Sequence, residues 1–350
     1  MNTENAAATL IIGQGLAGTA MAWTLIERGK RVLIVDRDEP VTSSKIAAGL
    51  LTPITGMRLS LSRGYKEQLV AAVSFYRRIE GVLGCRLLHA KRHVRLFKNE
   101  IEPGRWDARK QEMKRFLSAR QRLVSEDYFH NPRGGFEMKH GGYLDTVSYL
   151  SRSRKWFEEQ GMMQRGNVAI DEVQPDATGV SWRGQRFREV IYCIGWEAGN
   201  HPWFDWVPFQ SARGTIVRLR ADIGDEDRII HHGVWLLRHA DGYLRAGSTY
   251  DTRFGNPNEV PTGDLAVLEQ RINQALVKPF EILDARAAVR PIIRDQRMIL
   301  GRHPAHEHVI FFNGLASKGT LRAPWHAQIL AEHLMSGISL PETMDLRGNL

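Results

Sequence analysis

The stretch Thr9 to Asp36, TLIIGQGLAGTAMAWTLIERGKRVLIVD, constrains the fold more than any other part of the chain. The short apolar run Thr9 to Ile12 reads as a buried parallel strand, and Gly13-Gln14-Gly15-Leu16-Ala17-Gly18 follows it directly. In that setting Gly13 permits a tight turn, Gly15 lets backbone come close to a pyrophosphate, and Gly18 lets a helix pack on the strand. The helix beginning at Leu16 and Ala17 offers free N–H groups to the anion. Ala22, Leu25 and Gly29 continue the pattern, Val32 to Val35 forms a second strand, and Asp36 closes the unit with Arg37 beside it. A carboxylate about 20 residues past the glycines accepts hydrogen bonds from an adenosine ribose. The unit predicts a bound dinucleotide, FAD or NAD rather than NADP, and does not choose between the two.

With 350 residues, 43% of them hydrophobic, the chain can bury an ample core as one large α/β domain or two domains sharing an interface. No low-complexity run or internal repeat is present. MNTENAAA lacks the basic start of a signal peptide, and no apolar run approaches the ~20 residues of a membrane span. Cys85 and Cys193 are the only cysteines, so neither a disulfide framework nor a CxxC site is expected. A reduced, cytoplasmic protein fits best. The net charge of +9 admits anionic substrates or RNA. The densest basic stretch, Lys91 to Lys98 with Arg105 to Arg122, reads as a solvated, helical lobe. His231-His232 would face opposite ways on a strand and no partner set completes them, so no metal site is expected.

Along the chain, Thr42, Ser43 and Ser44 bring small hydroxyls, and Ala47-Ala48-Gly49, followed by Leu50, bring small side chains that admit a flat ring system. Gly64 to Leu83 has helical spacing at Leu69, Val73, Tyr76, Ile79 and Val82. Arg86 to Phe97 alternates like a strand. Asp145 is a candidate N-cap for a helix from Thr146 to Gly161. Asn167 to Val173 reads as a strand, Val180 to Trp182 and Gln185 to Arg188 as a hairpin, and Glu189 to Ile194 as a strand ending in Gly195. Strands at Gly214 to Leu219, Gly233 to Leu237 and Tyr243 to Gly247 precede a helix from Thr262 to Val277. Trp203, Trp206, Trp235, Tyr243 and Tyr250 are candidate wall residues or core aromatics. Near the end, AAVRPIIRDQRMILGRHP (Ala287 to Pro304) and VIFFNGLASKGTLRAPW (Val309 to Trp325) place Arg290, Gly314, Lys318, Gly319 and Thr320 in two loops.

The glycine fingerprint, the SSxxAAG segment at Ser43 to Gly49, the GxLD at Gly142 to Asp145, and the Arg290-Pro291, Asp295, Gly301-Arg302-His303-Pro304 series together resemble the D-amino-acid oxidase and glycine oxidase family of FAD-dependent oxidoreductases. The resemblance covers nearly the whole chain. It implies an α/β fold: a Rossmann-like two-dinucleotide-binding FAD domain (residues 1–85, 140–200 and 286–350) with an inserted antiparallel β-rich substrate domain (residues 86–139 and 201–285). It implies that backbone at Val168 holds the adenine, that Gly195 lies by the pyrophosphate, and that the helix opening at Gly319-Thr320 aims N–H groups at the flavin ring. Arg290 would grip a substrate carboxylate, and Lys318 would stand as a cation near the flavin. GSTYD (Gly247 to Asp251) and SKGTLRAP (Ser317 to Pro324) are also similar to the oxidase domain of the bacterial enzyme that modifies wobble uridine in tRNA.

Three positions depart from the glycine oxidase pattern. Ser317 and Lys318 stand around the place of a second arginine, Trp235 replaces a tyrosine, and Leu50 replaces a methionine. The expected chemistry is oxidation of the C–N bond of a small amino acid or N-substituted glycine by noncovalent FAD, with oxygen as acceptor. An RNA-directed amine oxidase and a pathway-specific amine dehydrogenase are the alternatives. Hydride leaves carbon in each case, so no dedicated base is required, and positioning by Arg290, Lys318 and Trp235 carries the catalysis.

Overall fold

The computed structural model describes residues 8–56, 58–118 and 123–349. Its nucleotide-side sheet has the order Met163–Arg165, Val32–Asp36 (β2), Thr9–Ile12 (β1), Glu189–Tyr192, Val309–Asn313, Ile299–Arg302. All neighbours pair in parallel except the last two strands. Both faces are covered, so the strands read as continuous apolar runs rather than alternating ones. Between β1 and β2 runs the helix Leu16–Glu27 (α1), buried on every side from Leu16 to Leu25. This explains why a chain segment with Ala20, Met21, Ala22 and Trp23 in sequence shows no polar face.

A short helix, Ser43–Ile46 (α2), is capped by Thr42, whose hydroxyl accepts from the Lys45 N–H. The long helix Tyr65–Leu83 (α3) lies between left-handed glycines at Gly64 and Gly84. Its buried face is Ala72, Phe75, Tyr76 and Ile79. Of the expected stripe, Tyr76 and Ile79 are buried and Leu69 packs against the core, while Val73 and Val82 are exposed and the alanines take the core side in their place. Both α1 and α3 pack on the Gly319–Ser336 helix, enclosing the main core cluster.

The second large sheet has seven strands, ordered Phe280–Arg290, Ala212–Ala221, Leu244–Gly247, Trp235–Arg238, Ile229–His231, His93–Leu96, Gly135–Met138. It is antiparallel except where Ile229–His231 meets His93–Leu96. The Thr262–Ala275 helix packs on it through Leu268, Ile272 and Ala275.

Two strand expectations need correction. Arg86 to Phe97 is not one strand: Leu88–Ala90 belongs to a small sheet and His93–Leu96 to the large one. The break falls at Lys91 and Arg92, whose side chains pair with Asp227 and with the buried Glu137. Nor is Asn167 to Val173 a strand. The parallel partner of β2 is Met163–Arg165, and Asn167 to Ala169 form a loop before a 3-10 turn at Ile170–Glu172. The basic stretch is helical only at Ile101–Asp107, with a 3-10 segment at Lys110–Phe116, and Arg120 and Arg122 lie outside the described residues. Asp145 caps the Thr146–Glu159 helix as expected, accepting from the Ser148 N–H at 3.0 Å.

Candidate active site

Two abutting cavities open where the sheets meet. The larger, 490 Å³, lies over the carboxyl ends of β1 and β2; the smaller, 160 Å³, lies between α2, the Gly319–Ser336 helix and the large sheet. They share Gly15, Ser43, Ser44, Cys193 and Gly195. Ligands of open α/β sheets sit at this edge.

Gly13, Gly15, Asp36, Arg37, Ser43, Ser44, Val168 and Gly195 all line the larger cavity. The start of α1, from Gly15 through Leu16 to Ala17, borders the smaller one with no capping side chain at Gly15. Apart from the Leu16 N–H, which Ser44 takes, such a helix start presents N–H groups and a positive dipole end to an anion. Gly18 lines neither cavity. A Cβ there would sit 1.8 Å from the Gly13 carbonyl oxygen, so its absence lets α1 close onto the turn.

Asp36 accepts from the N–H groups of Gln14 and Asp38, each at 2.8 Å, and from the Arg154 guanidinium. A carboxylate has about four acceptor positions, so one remains for a ribose hydroxyl. Gln14 escaped the sequence reading; buried, it ties the turn to Thr19 and to the Leu150 carbonyl, each at 3.0 Å. Arg154, which orients Asp36, also gave no local signal, because it arrives from a helix 118 residues away. Ser44 accepts from the Leu16 N–H at 3.1 Å, which fixes α2 against the helix start.

Ala48, Gly49, Leu50, Trp235, Arg290, Gly319 and Thr320 line the smaller cavity. Thr320 donates to the Leu50 carbonyl at 3.3 Å, joining the two walls. Arg290 ends the Phe280–Arg290 strand, and its Nη2 donates to Ser248 Oγ at 2.7 Å. The guanidinium lies flat on Gly214: a Cβ at that glycine would stand 2.0 Å from Nη2. Among the described residues no carboxylate pairs with Arg290, and burial pushes the guanidinium below its ordinary value. A buried cation without an ionic partner is costly, which makes Arg290 the candidate in this cavity for contact with an anionic ligand. Ser248 and Gly214 were not picked out in the sequence. Their role comes from register, which sets Ala212 to Gly214 against Ala288 to Arg290.

Besides Gly18, two expected positions are absent from both cavity linings. Gly314 packs against the Arg297 carbonyl, 2.7 Å from where its Cβ would be, and shapes the loop from behind. Lys318 is in neither lining: its ammonium donates to Ser62 Oγ at 2.7 Å and Thr55 Oγ1 at 3.2 Å, while its neighbours Ser317 and Gly319 border the smaller cavity. Burial, with Arg322 nearby, lowers it to about 8. Of the aromatics, Trp203 and Trp206 pack on a core cluster, Tyr250 is exposed, and Trp235 forms cavity wall. Cys193 is buried, and burial pushes its thiol well up. His231 meets the buried His93 at 2.9 Å, and His93, held down to about 3 by burial, is a neutral acceptor for the Gly142 N–H. Among the described residues no group of three or more His, Cys, Asp or Glu side chains is placed to hold a metal ion, and no helix is long and apolar enough to cross a membrane.

The family description "FAD dependent oxidoreductase" (DAO) matches residues 8–333. The chain belongs to the DAO family of FAD-dependent oxidoreductases. FAD is therefore the dinucleotide, and the long double cavity with its ring-sized inner end fits it. The chain is 24% identical over 369 residues to the tRNA 5-methylaminomethyl-2-thiouridine biosynthesis bifunctional protein MnmC of Marinobacter nauticus, covering 93% of this chain and 55% of that protein. It thus spans about half the length of that relative. The glycine oxidase of Geobacillus kaustophilus superposes with a TM-score of 0.78 at 16% identity, over 95% of each chain. The iminodiacetate oxidase of Chelativorans sp. BNC1 superposes with a TM-score of 0.75 at 17% identity, over 94% of this chain and 95% of that one. At such identities the likeness is one of fold.

Proposed function

We propose that this DAO-family oxidoreductase oxidises the C–N bond of a small amino acid or N-substituted glycine, and that Arg290 binds the substrate carboxylate. The observation that carries this reading is Arg290 itself, buried at the inner cavity, resting on Gly214 and lacking an acidic partner among the described residues. A planar guanidinium pairs with a carboxylate through two parallel N–H bonds and keeps its charge at any working pH. Ser248 takes one Nη2 donor and so fixes the orientation of the fork. Trp235 and Ile216 close the wall beside it. A carboxylate held there leaves the adjoining amine carbon facing Ala48 to Leu50 and the Gly319-Thr320 helix start.

Bound FAD would supply the two-electron acceptor for the hydride leaving that carbon, with oxygen restoring it and forming hydrogen peroxide. The chain's own groups orient the amine and exclude water; the imine product then hydrolyses to a carbonyl compound and an amine or ammonia. The test is an anaerobic titration of the yellow protein with glycine, sarcosine, D-amino acids, iminodiacetate and L-proline, then admission of air. Bleaching by one of the carboxylate amines supports the reading, and recovery in air makes the protein an oxidase. A spectrum unchanged by all of them rejects it.

A second reading has support of its own. The likeness to MnmC, the +9 charge and the GSTYD segment that supplies Ser248 favour a carboxymethylamino group carried on tRNA as substrate. Bleaching by tRNA that carries the carboxymethylaminomethyl group, but not by free amino acids, would select it.

A further inference from the structure

We propose that the substrate carries a phosphate group some 10–15 Å beyond the reacting carboxymethylamine, held in a basic pocket that continues the Arg290 wall outward. This rests on the carboxylate reading of Arg290. The wall does not end at the inner cavity. Alternate residues of a strand share a face, so Arg290, Ala288, Arg286 and Asp284 lie in one row. The neighbouring strand sets Ala212, Gly214, Ile216 and Arg218 opposite them, and the next sets Gly247 opposite Ile216 and Arg245 opposite Arg218. Small residues thus surround Arg290, Ile216 follows, and a charged zone comes last. Four extended residues separate Arg286 from Arg290, about 13 Å of chain.

Ile46 and Ile216 border both the inner cavity and a second one of 240 Å³. Lys45, Arg218, Arg245 and Arg286 line that second cavity against two acids, Asp241 and Asp284. Each acid engages one arginine: Asp284 with Arg286 Nε at 3.1 Å, and Asp241 with Arg245 Nη2 at 3.1 Å. Lys45 pairs with Asp38 at 2.8 Å. Arg218 has no acidic partner among the described residues and lies over the Tyr243 ring at 4.9 Å. A guanidinium has five N–H donors, so the three arginines keep most of theirs free around one space. With Lys45, Arg245 and Arg286 each paired to an acid, the unmatched positive charge is that of Arg218, and the many free N–H donors around one space suit an anion with several acceptor oxygens on more than one face, as a phosphate has. The N-substituent of a glycine held by Arg290 would pass between Ile46 and Ile216 to reach it.

The test compares N-hexylglycine with N-carboxymethyl-6-aminohexyl phosphate, whose carboxylate-to-phosphate span is about 12 Å when extended, as anaerobic flavin-bleaching substrates of the holoprotein. At low salt the phosphate compound is expected to half-saturate at about tenfold lower concentration, and the gap should narrow as salt rises. Arg218→Ala/Arg286→Ala should bring the two compounds together, with flavin content and melting temperature confirming the fold; Arg286→Glu, at an exposed site, is the second variant. Equal half-saturation in the unaltered protein, or a gap that persists in both variants, overturns the phosphate pocket while leaving the role of Arg290 standing. If neither compound bleaches the flavin, the carboxylate reading fails and this proposal with it. Competition by a mononucleotide and by a short single-stranded RNA distinguishes the phosphate's source: a clear advantage for RNA, steep in salt, marks a nucleic-acid carrier, and parity marks a soluble phosphate ester.

Discussion

The larger cavity is bordered by the glycines Gly13, Gly15 and Gly195 of two strand-to-turn junctions, whereas the smaller one holds the side chains Arg290, Ser248 and Trp235, placed by three strands of the large sheet or the residue just past one of them. A site built of backbone needs glycines at fixed spacing within one strand-turn-helix unit. A site built of side chains needs the register of a whole sheet. The first should therefore fail through shape and take the cofactor with it, and the second should fail through charge and leave the cofactor in place.

The strongest break in that contrast is expected at Gly18. Adding a Cβ within 1.8 Å of the Gly13 carbonyl forces α1 off the turn, so Gly18→Ala should lose about 1–3 kcal/mol or more of stability together with most of the bound flavin. Flavin absorbance per chain and thermal melting check both. Retained flavin at unchanged melting temperature would show that the turn tolerates displacement, and would undo the claim that backbone shape defines this half.

Arg290→Ala should behave in the opposite way. Losing a charge-assisted contact should weaken carboxylate substrates by about 3 kcal/mol, roughly two orders of magnitude in half-saturation, with flavin content unchanged. A carboxylate substrate bound as tightly as before would refute the role given to Arg290. Gly214→Ala sharpens the point, since its Cβ would stand 2.0 Å from Nη2 and push the guanidinium out of line without removing it. About a tenfold loss is expected, read from the same titration, and Gly214→Ala should add little on top of Arg290→Ala because both act on one contact.

The same contrast explains what could be read in the sequence. Thr9–Asp36 announces strand, turn, helix and acid because each is local, and the Arg-Pro at 290 points through resemblance to the cation proposed to hold the substrate carboxylate. Arg154, Ser248 and Gly214 stayed hidden because their partners lie 118, 42 and 76 residues away. Met163–Arg165 was missed in favour of the more apolar Asn167 to Val173, although pairing with β2 decides which segment is strand. On α3 the period finds the helix and its core residues Leu69, Tyr76 and Ile79, but not that Ala71 and Ala72 are buried while Val73 and Val82 are exposed, which the packing against the neighbouring helices decides.

Lys318 offers the smallest and most pointed test, since the resemblance puts it near the flavin and its ammonium bonds Thr55 and Ser62. Its ammonium is lowered by burial to about 8 from 10.5, so between those values the unfolded chain holds a proton that the folded chain has released. Stability then rises with pH through this window, and below it both states are charged and the burial penalty stands in full. The rise attributable to Lys318 should be about 2 kcal/mol, measured by denaturant unfolding of the holoprotein from pH 7.5 to 10.5. Lys318→Met, which keeps the chain length and drops the charge, should flatten that part of the profile and leave the carboxylate affinity set by Arg290 nearly unchanged. If instead the substitution slows bleaching by a carboxylate amine while the pH profile of unfolding stays as it was, Lys318 belongs with the side-chain-built half of the site after all.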